Sequence, residues 1–189
     1  MAKAGRKKVT SWKSKKVYGI LAPESFDFKD VGTTVAEDPQ KLLGRTVNIT
    51  LGSLTKERSK NYLNLVFEVH DVKGDNAHTR FKKFFIPVGY LRSKVRKRTK
   101  KIEFMADQKI GNIKSRVKIM VLSRYKVSEV QEKQIKDKMA EILVAHTDDE
   151  IDKFVQQTLY GKIGTEIYKA IKLICPIMRV EVHQIDVLR

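Results

Sequence analysis

LNLVFEVHDVKGDNAHTRFKKFFIP, residues 63–87, decides the fold. Leu63, Leu65, Phe67 and Val69 fall at every second position, the period of a strand with one buried face. Lys73-Gly74-Asp75-Asn76 reads as a turn, and a further strand runs through Phe81 and Phe85 to Pro87. The two strands make a hairpin. Upstream, Val17–Ala22 is extended, and the remainder as far as Pro39 is loop-like, punctuated by Pro23, Gly32 and Pro39. Leu43-Gly44-Arg45 opens a strand carrying Val47, Ile49 and Leu51. Lys56 to Lys60 reads as a basic loop. Downstream, Ile102, Phe104 and Ala106 mark one strand, Gly111-Asn112 a turn, and Val117, Ile119 and Val121 the next strand.

The period then changes. Ser128 and Gln131 form a capping-box pattern, followed by Ile135, Met139, Ile142 and Leu143 at helical spacing. Thr147 and Glu150 repeat the pattern before Ile151, Phe154, Val155 and Leu159, and Gly161 closes that helix. A third helix spans about 162–174, with Ile163, Ile167, Ala170, Ile171 and Ile174 inward, and Pro176 stops it. Residues 177–188 form a last strand whose alternation slips, which predicts a bulge near His183. The expected fold is α+β: an antiparallel barrel or sandwich core, C-terminal helices, and a final strand returning to the sheet. Residues 1–16 read as a basic flexible tail. Residues 17–189 read as a single domain, with a β-rich basic part over 17–126 and a helical part with the last strand over 127–189.

Net charge is +17, from 39 Lys and Arg against 22 acids. Such a balance speaks of partners rather than fold, with nucleic acid first and an anionic membrane second. No apolar run reaches the ~18–20 residues a bilayer span needs, and the basic N-terminus lacks an apolar h-region, so no secretory signal is expected. A single cysteine allows no internal disulfide and suits a reducing cytoplasm. Residues 1–127 hold 30 Lys or Arg against 11 acids, and residues 128–189 hold 9 against 11. The first part is expected to meet the anion, the second to pack or to face other proteins.

Within the first part, Val88–Lys101 is the densest stretch, with seven Lys or Arg from Arg92 onward and no acid. Val88, Leu91 and Val95 recur at helical spacing, so a helix with a narrow apolar foot and a cationic surface is expected. Arg92/Arg96, Lys94/Arg98 and Lys97/Lys101 would then be like-charged neighbours, each costing about 0.2–0.5 kcal/mol. A polyanion outside the protein relieves them; a merely solvated face is the other reading. The candidate phosphate contacts are Arg92, Lys94, Arg96, Lys97, Arg98, Lys100 and Lys101 here, and Arg116 and Lys118 in the following strand. Arg45 and the loop cations Lys56, Arg58 and Lys60 join them. In the tail they are Lys3, Arg6, Lys7, Lys8, Lys13, Lys15 and Lys16, with Trp12 either stacking on a base or anchoring on the domain.

Catalysis finds no constellation. His70, His78, His146 and His183 are scattered without metal-ligand spacing, and no phosphate loop or nucleophile elbow occurs. No cofactor and no metal are expected. Cys175 reads as a small core residue.

Seven segments in register resemble the small-subunit ribosomal protein S-three-a family, also called eukaryote-type S-one. They are Trp12-Lys13, Leu21-Ala22-Pro23-Glu24-Ser25-Phe26, Leu43-Gly44-Arg45, Ala77-His78-Thr79-Arg80-Phe81, and the run from Tyr90 to Arg98. Gly161-Lys162-Ile163 with Glu166-Ile167-Tyr168, and Arg179-Val180-Glu181, complete them. The resemblance covers nearly the whole chain, and the short C-terminus is similar to the archaeal form. Asn48, Cys175 and the Gly111-Asn112-Ile113 turn depart from the family pattern. The resemblance implies a non-enzymatic constituent of the small ribosomal subunit, cytoplasmic, with a barrel-like core. It implies small-subunit rRNA as partner on the platform, beside neighbouring ribosomal proteins and mRNA near its exit. A free-standing basic RNA-binding protein or RNA chaperone is the alternative.

Overall fold

The computed structural model describes Trp12 and residues 15–188. The strands are β1 (Lys16–Leu21), β2 (Asp30–Ala36), β3 (Thr46–Thr50), β4 (Asn64–Lys73), β5 (Asn76–Phe85), β6 (Lys101–Ile110), β7 (Ile113–Ser123) and β8 (Ile177–Val187). The helices are α1 (Leu51–Thr55), α2 (Val88–Lys94), α3 (Glu129–Ala145), α4 (Ile151–Leu159) and α5 (Lys162–Ile171). All eight strands belong to one hydrogen-bonded sheet. The α+β class is as expected. The sheet is mixed rather than antiparallel throughout, because β1 runs parallel to β5 at Gly19–Leu21.

The chain forms two compact units. The described residues as far as Val47, with Glu68–Arg80, make the first; Asn48–Phe67 and the chain from Phe81 onward make the second. In the first unit, β1 pairs antiparallel with β2, a strand where a loop is expected from the sequence. The β-branched Val31, Thr33, Thr34 and Val35 favour the strand; Gly32 and the flanking prolines hide it. Tyr18, Ile20, Ala36, Leu42, Val69 and Ala77 form the core, with Val31, Val47 and Val72 against it. Thr79 Oγ1 donates 2.7 Å to the Leu21 carbonyl.

In the second unit, β6 and β7 pair over ten residues from Lys101↔Leu122 to Ile110↔Ile113. Gly111, at φ 56°, makes the two-residue turn possible. β8 pairs with β7, and its Lys83↔Asp186 register joins it to β5. Val182 pairs with Ile119 and Gln184 with Lys118, so His183 is the extra residue of a bulge, where the slipped alternation put it. Leu51, expected at the end of β3, instead opens α1 behind the cap of Thr50, whose Oγ1 accepts from the Ser53 amide.

The capping box of α3 forms in both directions between Ser128 and Gln131. The second expected box does not. Thr147 Oγ1 donates to the Val144 carbonyl, and Glu150 caps α4 without a side-chain bond. Ile135, Met139, Leu143, Phe154, Val155, Ile163, Ile167 and Ile171 are buried, as are Val117, Ile119, Val121 and Ile185 of the sheet. Ala170, within α5, and Ile174, beyond its end at Ile171, are only half-buried. Cys175 is 6% exposed, and burial pushes its thiol up.

Candidate nucleic-acid interface

The basic stretch is a short helix followed by a loop, not a helix to Lys101. Pro87 precedes α2, and Leu91 is its one buried residue. Val95 turns extended at φ −76° and ψ 125°, ending the helix after Lys94. Val88 is 59% and Val95 39% exposed, so the predicted apolar foot is a single residue wide. Lys101 already belongs to β6, and a strand's register against β7 outweighs helical propensity at its start. The like-charged pairs four apart therefore do not stack along a helix.

A turn holds the loop open. Thr99 Oγ1 donates 2.6 Å to the Arg96 carbonyl and accepts from the Arg96 amide at 3.3 Å. Arg98 takes a left-handed conformation at φ 70°, which is uncommon for a residue other than glycine. Arg96, Lys97 and Arg98 are exposed, as is Arg92. Among the described residues, none of the four makes an ion pair. Lys94 lies 4.5 Å over the ring of Tyr90, which stacks on Tyr62 at 4.3 Å and 9°. That stack braces α2.

Other predicted cations are committed inside the fold. Arg116 forks onto Asp107 at 2.6 and 2.8 Å, which lowers the Asp107 carboxyl and raises the guanidinium. Lys101 meets Glu103 at 2.7 Å, and that bond holds the Glu103 carboxyl low. Lys100 binds Glu132 at 2.7 Å, and with Lys136 it holds that carboxylate at about 2. Lys60 pairs with Glu57 at 2.9 Å and sits over Tyr160. Lys56, Arg58 and Lys118 make no ion pair among the described residues.

In the first unit, Arg45 is a clip. Its Nε donates to the Lys41 carbonyl, and its Nη1 to Thr34 Oγ1 at 2.9 Å and the Val35 carbonyl at 3.0 Å. Trp12 is 72% exposed, with the Lys15 ammonium 4.6 Å over its ring, so it is no buried anchor. Lys15 and Lys16 are exposed. Lys3, Arg6, Lys7, Lys8 and Lys13 lie outside the described residues.

The sequence reading missed Met105, Val88 and His183 as a group. They line one groove beside Arg92 and Lys118. The available signal was Met105, an apolar residue between Glu103 and Asp107 on the outward-facing side of β6. Among the described residues, no cluster of three or more His, Cys, Asp or Glu converges as metal ligands. No described helix is long and apolar enough to cross a membrane.

Fold and site together define a basic α+β protein whose loop between α2 and β6 carries exposed cations that make no ion pair among the described residues. The model of the Ribosomal S3Ae family matches residues 3–189, and the chain belongs to that family. It is 39% identical over 181 residues to the small ribosomal subunit protein eS1 of Archaeoglobus fulgidus, covering 94% of this chain and 86% of that protein. The eS1 protein of Methanothrix thermoacetophila is 32% identical over 192 residues, covering all of this chain and 90% of the relative. That of Methanococcus vannielii is 35% identical over 189 residues, at 99% and 86% coverage. The family is structural and non-enzymatic.

Proposed function

We propose that this protein is a structural constituent of the small ribosomal subunit in the cytoplasm, and that it holds small-subunit rRNA mainly by its phosphates. Family membership and the relatives' names support the first half. One observation carries the second: Arg92, Arg96, Lys97 and Arg98 stand exposed without ion pairs among the described residues, while Lys60, Lys100, Lys101 and Arg116 are matched to acids. An A-form helix hides its base edges in a deep, narrow groove, so shape and backbone are what a protein can grip. Arginine forks onto phosphate oxygens, and lysine acts as a point charge. Lys56, Arg58, Lys118, Trp12 and the tail cations extend the contact. Neighbouring ribosomal proteins on the platform are the further partners, with mRNA near its exit. The near-neutral residues 128–189 suit the protein neighbours.

Fractionating a cell lysate on a sucrose gradient at high salt tests this reading. The chain is expected to migrate with small subunits. Migration at the top of the gradient, with RNA binding retained in the purified protein, would favour a free-standing RNA-binding protein or chaperone.

A further inference from the structure

The His183 bulge sits beside a groove whose apolar wall the phosphate reading does not use. Bulges re-aim the side chains around them and recur next to functional sites. The groove holds about 830 Å³ and lies among α2, the end of β5, β6, β7 and β8. That volume lies within the roughly 300–1,000 Å³ of ligand pockets. Its lining includes apolar side chains open to solvent: Val88, Val95, and Met105 at 58% exposure. Apolar surface grouped this way marks a contact site.

Arg92 and Lys118 stand on its edge without ion pairs among the described residues, whereas Lys101 is matched to Glu103 and Lys83 to Asp186. The surplus charge is therefore positive. Arg92 also leads directly into the Arg96–Arg98 loop, so the cations continue out of the groove along the chain. His183 completes the wall, and its ring makes no hydrogen bond among the described residues. Burial pushes its pKa down, against the pull of Glu103, so at neutral pH the ring offers one donor and one acceptor. An apolar surface, a neutral donor–acceptor pair and flanking cations are the complement of a base, its edge and its phosphates.

We infer that this groove takes an unstacked nucleotide of a single-stranded RNA segment, with the base against Met105 and Val88 and the phosphates on Arg92 and Lys118. A protein segment would need acidic flanks to match the same edge; RNA supplies them at every residue. The inference rests on the RNA-binding reading above and adds a second mode to it, one that duplex RNA cannot use because its bases stay stacked.

The test uses the full chain, a labelled short single-stranded ribo-oligonucleotide of mixed sequence, and a labelled RNA duplex, each titrated by fluorescence anisotropy. The double variant Val88→Ser, Met105→Ser changes exposed side chains, and its thermal midpoint verifies the fold. Met105→Leu serves as the conservative control. The double variant should lose about tenfold in single-strand affinity, the scale of apolar area withdrawn from the contact. Duplex affinity should be retained, and Met105→Leu should bind both RNAs normally. Equal losses on both RNAs, or no loss on either, overturn the inference. Unchanged RNA binding with impaired incorporation into subunits also overturns it, and assigns the groove to a protein segment. If the unaltered chain binds duplex but no single strand, the inference fails and the phosphate reading stands. If it binds neither, both fail.

Discussion

Replacing Arg92, Arg96, Lys97 and Arg98 together by Gln isolates the phosphate contribution of the α2–β6 loop. None of the four is tied to an acid among the described residues, so the change breaks no internal ion pair. If each meets one phosphate, counterion release contributes about 0.7–0.9 to the slope of log K against log salt per contact. Four contacts give a slope change of about 3. Over a fourfold rise in salt the unaltered protein should then lose about 60-fold more affinity than the variant. The loss should be similar for RNA helices of different sequence, because phosphate contacts position without specifying. Thermal stability should move by less than about 0.5 kcal/mol, as for surface changes generally. A gain from relieving like-charged helical neighbours is not expected, since only Arg92 of the four lies within α2. The assay is a salt titration of both proteins against purified small-subunit rRNA. An unchanged slope refutes the reasoning, for it means a merely solvated loop.

Two further outcomes follow from the second unit. Ile185 is fully buried at the β8 pairing with Val117 and Phe84. Ile185→Ala should cost about 2–5 kcal/mol, measured by denaturant unfolding; a cost below 1 kcal/mol would show that β8 is not integral to the sheet. His146 bonds Asp149 at 2.8 Å and Glu166 at 3.0 Å. Burial lowers its pKa, but the two carboxylates outweigh that and leave it raised. A raised folded-state pKa contributes stability that is complete below the unfolded value of about 6.5 and is lost as pH rises through the folded value. The stability difference between the unaltered protein and His146→Gln should therefore shrink from pH 6 upward. A difference that grows over that range contradicts the assignment.

The hairpin of residues 63–87, the α3 capping box and the His183 bulge were legible because each is written in neighbouring residues. β2 was not, since Gly32 interrupts its alternation and it pairs on one side only, with β1. The length of α2 was misread because Lys101 is claimed by its pairing with Leu122, twenty-one positions away. The same cause decides which cations are free. Arg116 is neutralised by its cross-strand partner Asp107, and Lys100 by Glu132 on α3. Neither pairing shows in a count of local charge. Arg45 carries a cation's formula and a clip's hydrogen bonds. What composition did convey was the basic excess before residue 128.

Hydroxyl-radical cleavage from a tethered iron chelate tests the central claim most directly. Cys175 is the single cysteine, and its burial keeps it from competing for the tether. Lys97→Cys places the probe on the loop, and Lys138→Cys places it on α3, where Lys138 is paired with Glu141. With each labelled protein incorporated into small subunits, strong cleavage of small-subunit rRNA is predicted from position 97 and much weaker cleavage from position 138. Cleavage no stronger from 97 than from 138 would contradict the placement of the α2–β6 loop on rRNA.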